Sequence, residues 1–361
     1  MKIKNNPLFW SVLLVIQMIL LKILPYLTSV VEKFYASFIY VIVSTLNRIV
    51  FNMFSFSIGD VLYFLLALFI VYCLFLSIKN KNLFKTQTLL KITAFLSILL
   101  LLFNASWGFN YYRKPLVHHL KIDKTTFSQQ EFEDFTTKLI EDINTIHLSI
   151  TNNDSLKVNI PYDKDSIYVL SKNSYQAISE KYPFLKASNL RVKNSLFSTP
   201  LSYMGFAGYL NPFTNEAQVN SKIPLVSLVT TSCHEIGHQV GFGPEYEANM
   251  LAYLTSINYS DKYFNFSGKY MALRYVLNEL YITNPKLYEK YVEKINPGIL
   301  KNMEESYQFW EQYKNPLEPY FKTFYDVFLK SNAQKEGIKS YKRVVGLIIN
   351  YHLNEEKLLK K

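Results

Sequence analysis

Residues 228–254, LVTTSCHEIGHQVGFGPEYEANMLAYL, decide how the rest of the chain is read. At their centre stand His234, Glu235 and His238. On a helix, positions i and i+4 project from one face a turn apart, so the two imidazoles can grip one metal ion with Glu235 beside them. A catalytic zinc usually takes three protein ligands and keeps one position open, so a third ligand must come from nearby in space. Gly241, Phe242, Gly243 and Pro244 read as a corner: the glycines let the first helix end, and the proline opens the next at Glu245. In that second helix Glu245 and Asn249 share a face, whereas Glu247 lies about 200° round from Glu245. Glu245 is the preferred third ligand because Asn249 then stands where it can hydrogen-bond a ligating histidine, and Glu247 is the alternative.

Glu245, Ala248 and Asn249 resemble the E-x-x-A-D or E-x-x-A-N pattern of the gluzincin metallopeptidases, at a shorter spacing from His238 than most gluzincins show. The metzincin pattern fails, since its third histidine would fall on Pro244. Over nearly its whole length, including GYLNPFTNEAQVN (208–220) and YDVFLKSNAQKEGIKSYKRVV (325–345), the chain resembles a bacterial family of multi-pass membrane proteins known only as a domain of unknown function. The resemblance implies an α+β, helix-rich zincin-like domain with a motif helix, a second ligand-bearing helix and a small sheet. The gluzincin-like motif implies Zn2+ as cofactor and a peptide or protein substrate. In zincins an edge strand before the motif helix accepts the substrate backbone by strand addition. Residues 190–220 occupy that place, with an ordinary sheet strand as the other reading. Zinc peptidases also need a donor near the developing oxyanion, for which Tyr341, Arg343 and His352 are the candidates.

The composition divides the chain. Of 361 residues 49% are hydrophobic and 16% aromatic, enough for a membrane portion and one sizeable further domain. Residues 1–109 hold nine Lys or Arg against two acids, and residues 110–361 hold thirty against twenty-six, so most of the +11 excess sits in the apolar part. Nucleic acid is thereby excluded as a partner, because the basic charge does not gather on the polar domain. Cys73 and Cys233 make no plausible disulfide, and on a helix the Cys233 side chain points about 100° away from His234.

Three apolar stretches, about 8–27, 58–78 and 89–109, are long enough to span a bilayer. The first reads as a retained anchor, since its apolar run is long for a cleaved signal. Residues 30–55, with Glu32, Lys33 and Arg48 among aromatics, read as an interfacial helix. Six lysines and no acids flank the N-terminus and the loop after the second span, which places both in the cytoplasm. Three crossings then put residues 110–361 on the outer, periplasmic side of a bacterial inner membrane; an even number would reverse this.

Further along, residues 128–150 and 164–182 carry helical periodicity, with Phe132, Phe135, Leu139, Ile143 and Ile146 as a core stripe. NNDS at 152–155 is a loop, residues 190–220 read as short strands with turns, and Asn220 or Ser221 can cap the motif helix. His118, His119 and His147 lack a partner at ligand spacing and read as structural. Residues 262–361 are helical with breaks at Pro285, Pro297 and Pro316. The expectation is a membrane-anchored zinc metallopeptidase with Glu235 as general base, and the alternative is a catalytically silent membrane scaffold or sensor that keeps the fold.

Overall fold

The computed structural model describes residues 6–332, 334 and 341–359. The chain divides into two compact units, Met1–Lys114 with Asn211–Glu216, and Pro115–Leu210 with Ala217–Lys361. The division therefore falls a few residues beyond the expected 109, and it assigns a short internal segment to the first unit. Both differences have a cause in buried charge. Arg113 is held by Glu32 at 2.7 Å, which keeps the chain with the first unit past the last apolar helix. Within Asn211–Glu216, Asn215 Oδ1 accepts from the buried Arg48 guanidinium at 2.7 Å.

The first unit is built on Pro7–Ile23 (α1), Thr28–Phe51 (α2), Ile58–Lys79 (α3) and Thr86–Ser106 (α4). Asn6 caps α1 by accepting from Leu8 N, with proline following at the first position, and Ser57 caps α3 by accepting from Asp60 N. Glu216 adds its carboxylate to the same end of α3, accepting from Gly59 N and Ile58 N at 2.6 and 3.2 Å. A negative group there meets unsatisfied N–H groups and the positive end of the helix dipole. Gly59 has to be glycine for space, since a Cβ would lie 2.5 Å from Asn211 Nδ2.

These four helices are long and apolar enough to cross a bilayer, so the chain is a membrane protein. Three match the expected spans, although the last begins at Thr86 and stops at Ser106. After it Trp107 leaves helical geometry and Gly108–Tyr112 tighten into a 3-10 turn. The fourth candidate is α2, whose mean hydropathy of 1.5 is the lowest of the four.

In the second unit, Gln129–Thr151 (α5) starts with a capping box of Ser128 and Glu131 and ends at Asn152 in the left-handed region. Lys164–Lys181 (α6) follows, capped by Asp163. Next come Val192–Asn194 (β1), Ser198–Met204 (α7), Gly208–Asn211 (β2) and Glu216–Val219 (β3). The sheet order is β1-β3-β2, with β1 parallel to β3 so that Val192 faces Ala217. A four-residue connection can join β2 to β3 only as an antiparallel pair, which leaves β2 at an edge. Among the described residues the architecture is helix-rich with this small sheet.

Leu225–Gln239 (α8) and Glu245–Ile257 (α9) form the centre of the unit. Leu228, Val229 and Ile236 on α8 and Met250, Leu251 and Leu254 on α9 are fully buried. Each such aliphatic side chain contributes about 1.5–3 kcal/mol by leaving water. At Gly237 a Cβ would stand 3.1 Å from the Tyr175 hydroxyl, so a side chain there would press on α6. Pro224, not Asn220 or Ser221, occupies the cap position of α8. Asn220 is diverted into a local turn, accepting from Lys222 N and donating to Ser202 Oγ. Lys262–Thr283 (α10) and Tyr341–Leu359 (α14) pack on this pair, and Pro285–Val292 (α11), Pro297–Glu311 (α12) and Glu318–Ser331 (α13) complete the unit. The expected breaks at Pro285, Pro297 and Pro316 fall between or at the starts of these helices.

Candidate metal centre

The i and i+4 spacing on α8 sets the two imidazoles side by side, ring centroids 4.7 Å apart and planes nearly perpendicular. Gly241 adopts a positive φ of 91°, the corner that turns the chain from α8 into α9. That corner brings Glu245 back over the histidines: its carboxylate oxygens lie 3.3 Å from His234 Nε2 and 3.6 Å from His238 Nε2. One ligand atom from each residue falls within 4.8 Å of the others. Ligands about 2 Å from a tetrahedral metal stand roughly 3.3 Å apart, and the two histidine-to-Glu245 separations, 3.3 and 3.6 Å, are close to that.

The outer nitrogens fix the rings. His238 Nδ1 is 2.7 Å from the Phe242 carbonyl, which can only accept; the proton therefore sits on Nδ1, and Nε2 is left with its lone pair facing Glu245. His234 Nδ1 likewise donates to Asn249 Oδ1 at 2.9 Å, the partner expected from the shared face of Glu245 and Asn249. Glu245 is steadied in turn: Tyr325 on α13 donates to Oε1 at 2.6 Å, and its backbone N–H donates to Gln334 Oε1 at 3.2 Å.

Glu247 is turned away. Its carboxylate is buried and accepts from Leu116 N at 2.9 Å and from the Tyr246 hydroxyl at 3.1 Å. Of the two glutamates, Glu245 is the one that converges with the histidines. Cys233 points elsewhere as well, fully buried with its sulfur 3.8 Å from the hydroxyls of Ser174 and Ser256.

Glu235 is the unusual member. It is 3% exposed, and its Oε2 has no hydrogen-bond partner among the described residues. A buried carboxylate without a partner costs free energy, so such groups are uncommon in folded proteins. Strand β2 runs against it: a Cβ on Gly208 would come within 2.7 Å of Glu235 Oε1, so only glycine fits there. Burial pushes the Glu235 carboxyl up to about 8 and holds His238 down to about 4. Burial also disfavours charge on His234, but the hydrogen bond to Glu245 and the two neighbouring carboxylates outweigh it and raise this histidine well above its usual range. The same contacts, set against burial, hold Glu245 well below the ordinary glutamate value. The cluster attracts positive charge, and a proton on His234 partly meets that demand.

The oxyanion candidates are engaged elsewhere. Arg343 lies 4.3 Å over the ring of Tyr246, and His352 sits 2.7 Å from the Tyr253 hydroxyl. Tyr341 is in α14, with its side chain outside the described residues. His147 is structural as expected, its ring nitrogens engaged by the Leu156 carbonyl and Asn296. His119 packs its ring against Phe184 and Phe242. The sequence reading missed Tyr325, Gln334 and the Phe242 carbonyl. Only the last had a local signal, since a carbonyl four residues after His238 is where a glycine corner delivers it.

The family model described as "Protein of unknown function (DUF3810)" matches residues 35–349, and the chain belongs to that family. No curated protein and no solved structure matches the chain.

Proposed function

We propose that the second unit is a zinc metallopeptidase domain. The observation that carries this reading is Glu235, buried and without a partner on Oε2, standing next to three convergent metal-type ligands. Glu247, by contrast, has one carboxylate oxygen engaged twice, Oε1 accepting from Leu116 N and from the Tyr246 hydroxyl. The donor set fits zinc: two imidazole Nε2 atoms and one carboxylate, each oriented by a second hydrogen bond, with the ion taking the place of the proton on His234. His234, His238 and Glu245 would hold the ion, which supplies Lewis acidity toward a peptide carbonyl and toward water. Glu235 accepts the proton of the attacking water and returns it to the leaving amine. Tyr325, donating to Glu245 at the edge of the site, is the hydroxyl best placed to meet an oxyanion. Strand β2, an edge strand with Gly208 against Glu235, suits an extended peptide added alongside it.

The test is metal analysis and peptide cleavage on the purified full-length protein. One equivalent of zinc is expected, lost in His234→Ala and retained in Glu235→Gln, with cleavage abolished in both. A zinc-loaded wild type that cleaves nothing from a broad peptide library overturns the reading in favour of a silent scaffold, and activity that survives Glu235→Gln overturns the assignment of Glu235 as general base.

A further inference from the structure

The four apolar helices include one that does not behave as a crossing. In the first unit α1 and α4 run in the same direction: Ser11 Oγ pairs with Thr93 Oγ1 at 2.6 Å, and one turn and a half on, Gln17 donates to Ser97 Oγ at 2.9 Å. Helices α3 and α4 are joined by residues 80–85 and meet at Phe69 and Phe95, so they run in opposite directions. The C-terminal end of α1, the N-terminal end of α3 and the C-terminal end of α4 therefore lie at one membrane face, opposite the 80–85 loop. Helix α2 starts just after α1 ends and hands over to α3 within seven residues. It begins and finishes at the same face.

Side-chain contacts agree along its length. Glu32, near the start, accepts from the Arg113 guanidinium at 2.7 Å and from Lys114 N at 3.1 Å, beyond the end of α4. Tyr35 donates to the carbonyl of Ala105, in the last turn of α4. Arg48, roughly 20 Å further along the axis once the π-helical winding of Val31–Ile39 is allowed for, donates to Asn215, beside the Glu216 that caps α3. A crossing helix would carry one of these ends to the opposite face. The buried side is Val31, Tyr35, Tyr40, Ser44 and Arg48; the other side presents Phe34, Phe38, Ile42, Leu46 and Ile49, each close to half exposed or more.

We infer that α2 lies in the membrane plane, its Phe34-to-Ile49 face seated in the acyl–headgroup boundary of one leaflet. The bilayer is the occupant because the helix is tied, at both ends, to the ends of membrane-crossing helices. The chain then crosses three times and leaves the first unit, at Lys114, on the face opposite the lysines of the 80–85 loop. This inference is independent of the metal centre.

Two measurements test it in the full-length protein. Cysteines introduced singly at Tyr26, Ser55 and Phe84 are probed in sealed vesicles with an impermeant maleimide. Tyr26→Cys and Ser55→Cys should label from one side and Phe84→Cys from the other; labelling of the first two from opposite sides makes α2 a crossing and overturns the inference. Phe38→Trp is then read with brominated lipids. Phe38 is near the middle of α2, so a crossing would place it at the bilayer centre. Quenching should be strongest with bromines close to the headgroup. Strongest quenching by bromines near the acyl terminus, or no quenching by any of the lipids, overturns the lipid-facing assignment.

Discussion

Buried charge is treated in opposite ways in the two units. In the first, Arg48 is 2% exposed and Glu216 1% exposed, and both meet complementary groups, as does the Glu32 to Arg113 pair. In the second, Glu235 is 3% exposed and its Oε2 faces no protein donor. A buried ionic group that keeps its partners is costly to break apart; a buried carboxyl without a partner is a cost the fold bears for some other reason. At the motif helix that reason is proposed to be chemistry.

The most severe way to break this contrast is Glu235→Gln. Hydrolysis should fall by about 10²–10⁴-fold, the usual share of a positioned general base, while thermal stability stays equal or rises because an unsatisfied buried carboxyl has been removed. A variant that loses stability instead would make Glu235 an ordinary structural carboxylate. The converse experiment is Arg113→Ala, which strands Glu32 in a site where its carboxylate is 14% exposed. It should cost about 3–5 kcal/mol, read as a lower unfolding midpoint in detergent with zinc binding unchanged. Smaller again is Asn249→Ala, which frees the His234 ring: zinc affinity in a chelator competition should weaken about 10–100-fold.

The mildest test concerns a matched histidine outside the proposed metal centre. Burial lowers His352 from 6.5 to about 4, and as a neutral ring it can accept from the Tyr253 hydroxyl. The unfolded chain binds this proton more readily, so the folded state keeps its full advantage above about pH 6.5 and loses it as the pH falls toward 4. Melting curves of wild type and His352→Gln between pH 7.5 and 4.5 should converge on acidification.

What could be read beforehand follows from how local each feature is. The His234, Glu235, His238 face and the Glu245, Asn249 pair depend only on helical period, and the geometry brings them together as spacing alone suggests. The stripe from Phe132 to Ile146 on α5 was legible for the same reason. Tyr325 and Gln334 reach Glu245 across about 80 and 89 residues of sequence, and no period carries that information. For α2 the scattered charges already favoured the interface over a crossing, and what could not be read was the pairing of Glu32 with Arg113 and of Arg48 with Asn215. The assignment of residues 211–216 to the membrane unit was likewise invisible, because Arg48 and Asn215 are 167 positions apart.

That separation has a cost in time. A ribosome adds about 5–20 residues per second, so Asn215 is made roughly 8–33 seconds after Arg48. Glu216 follows it, long after the α3 terminus that it caps has entered the bilayer. Throughout that interval the membrane unit holds an arginine and a helix end awaiting their partners. Released as a fragment ending at Lys114, the unit would keep those vacancies permanently, which makes it a substrate for quality-control proteolysis and ties its survival to completion of the whole chain.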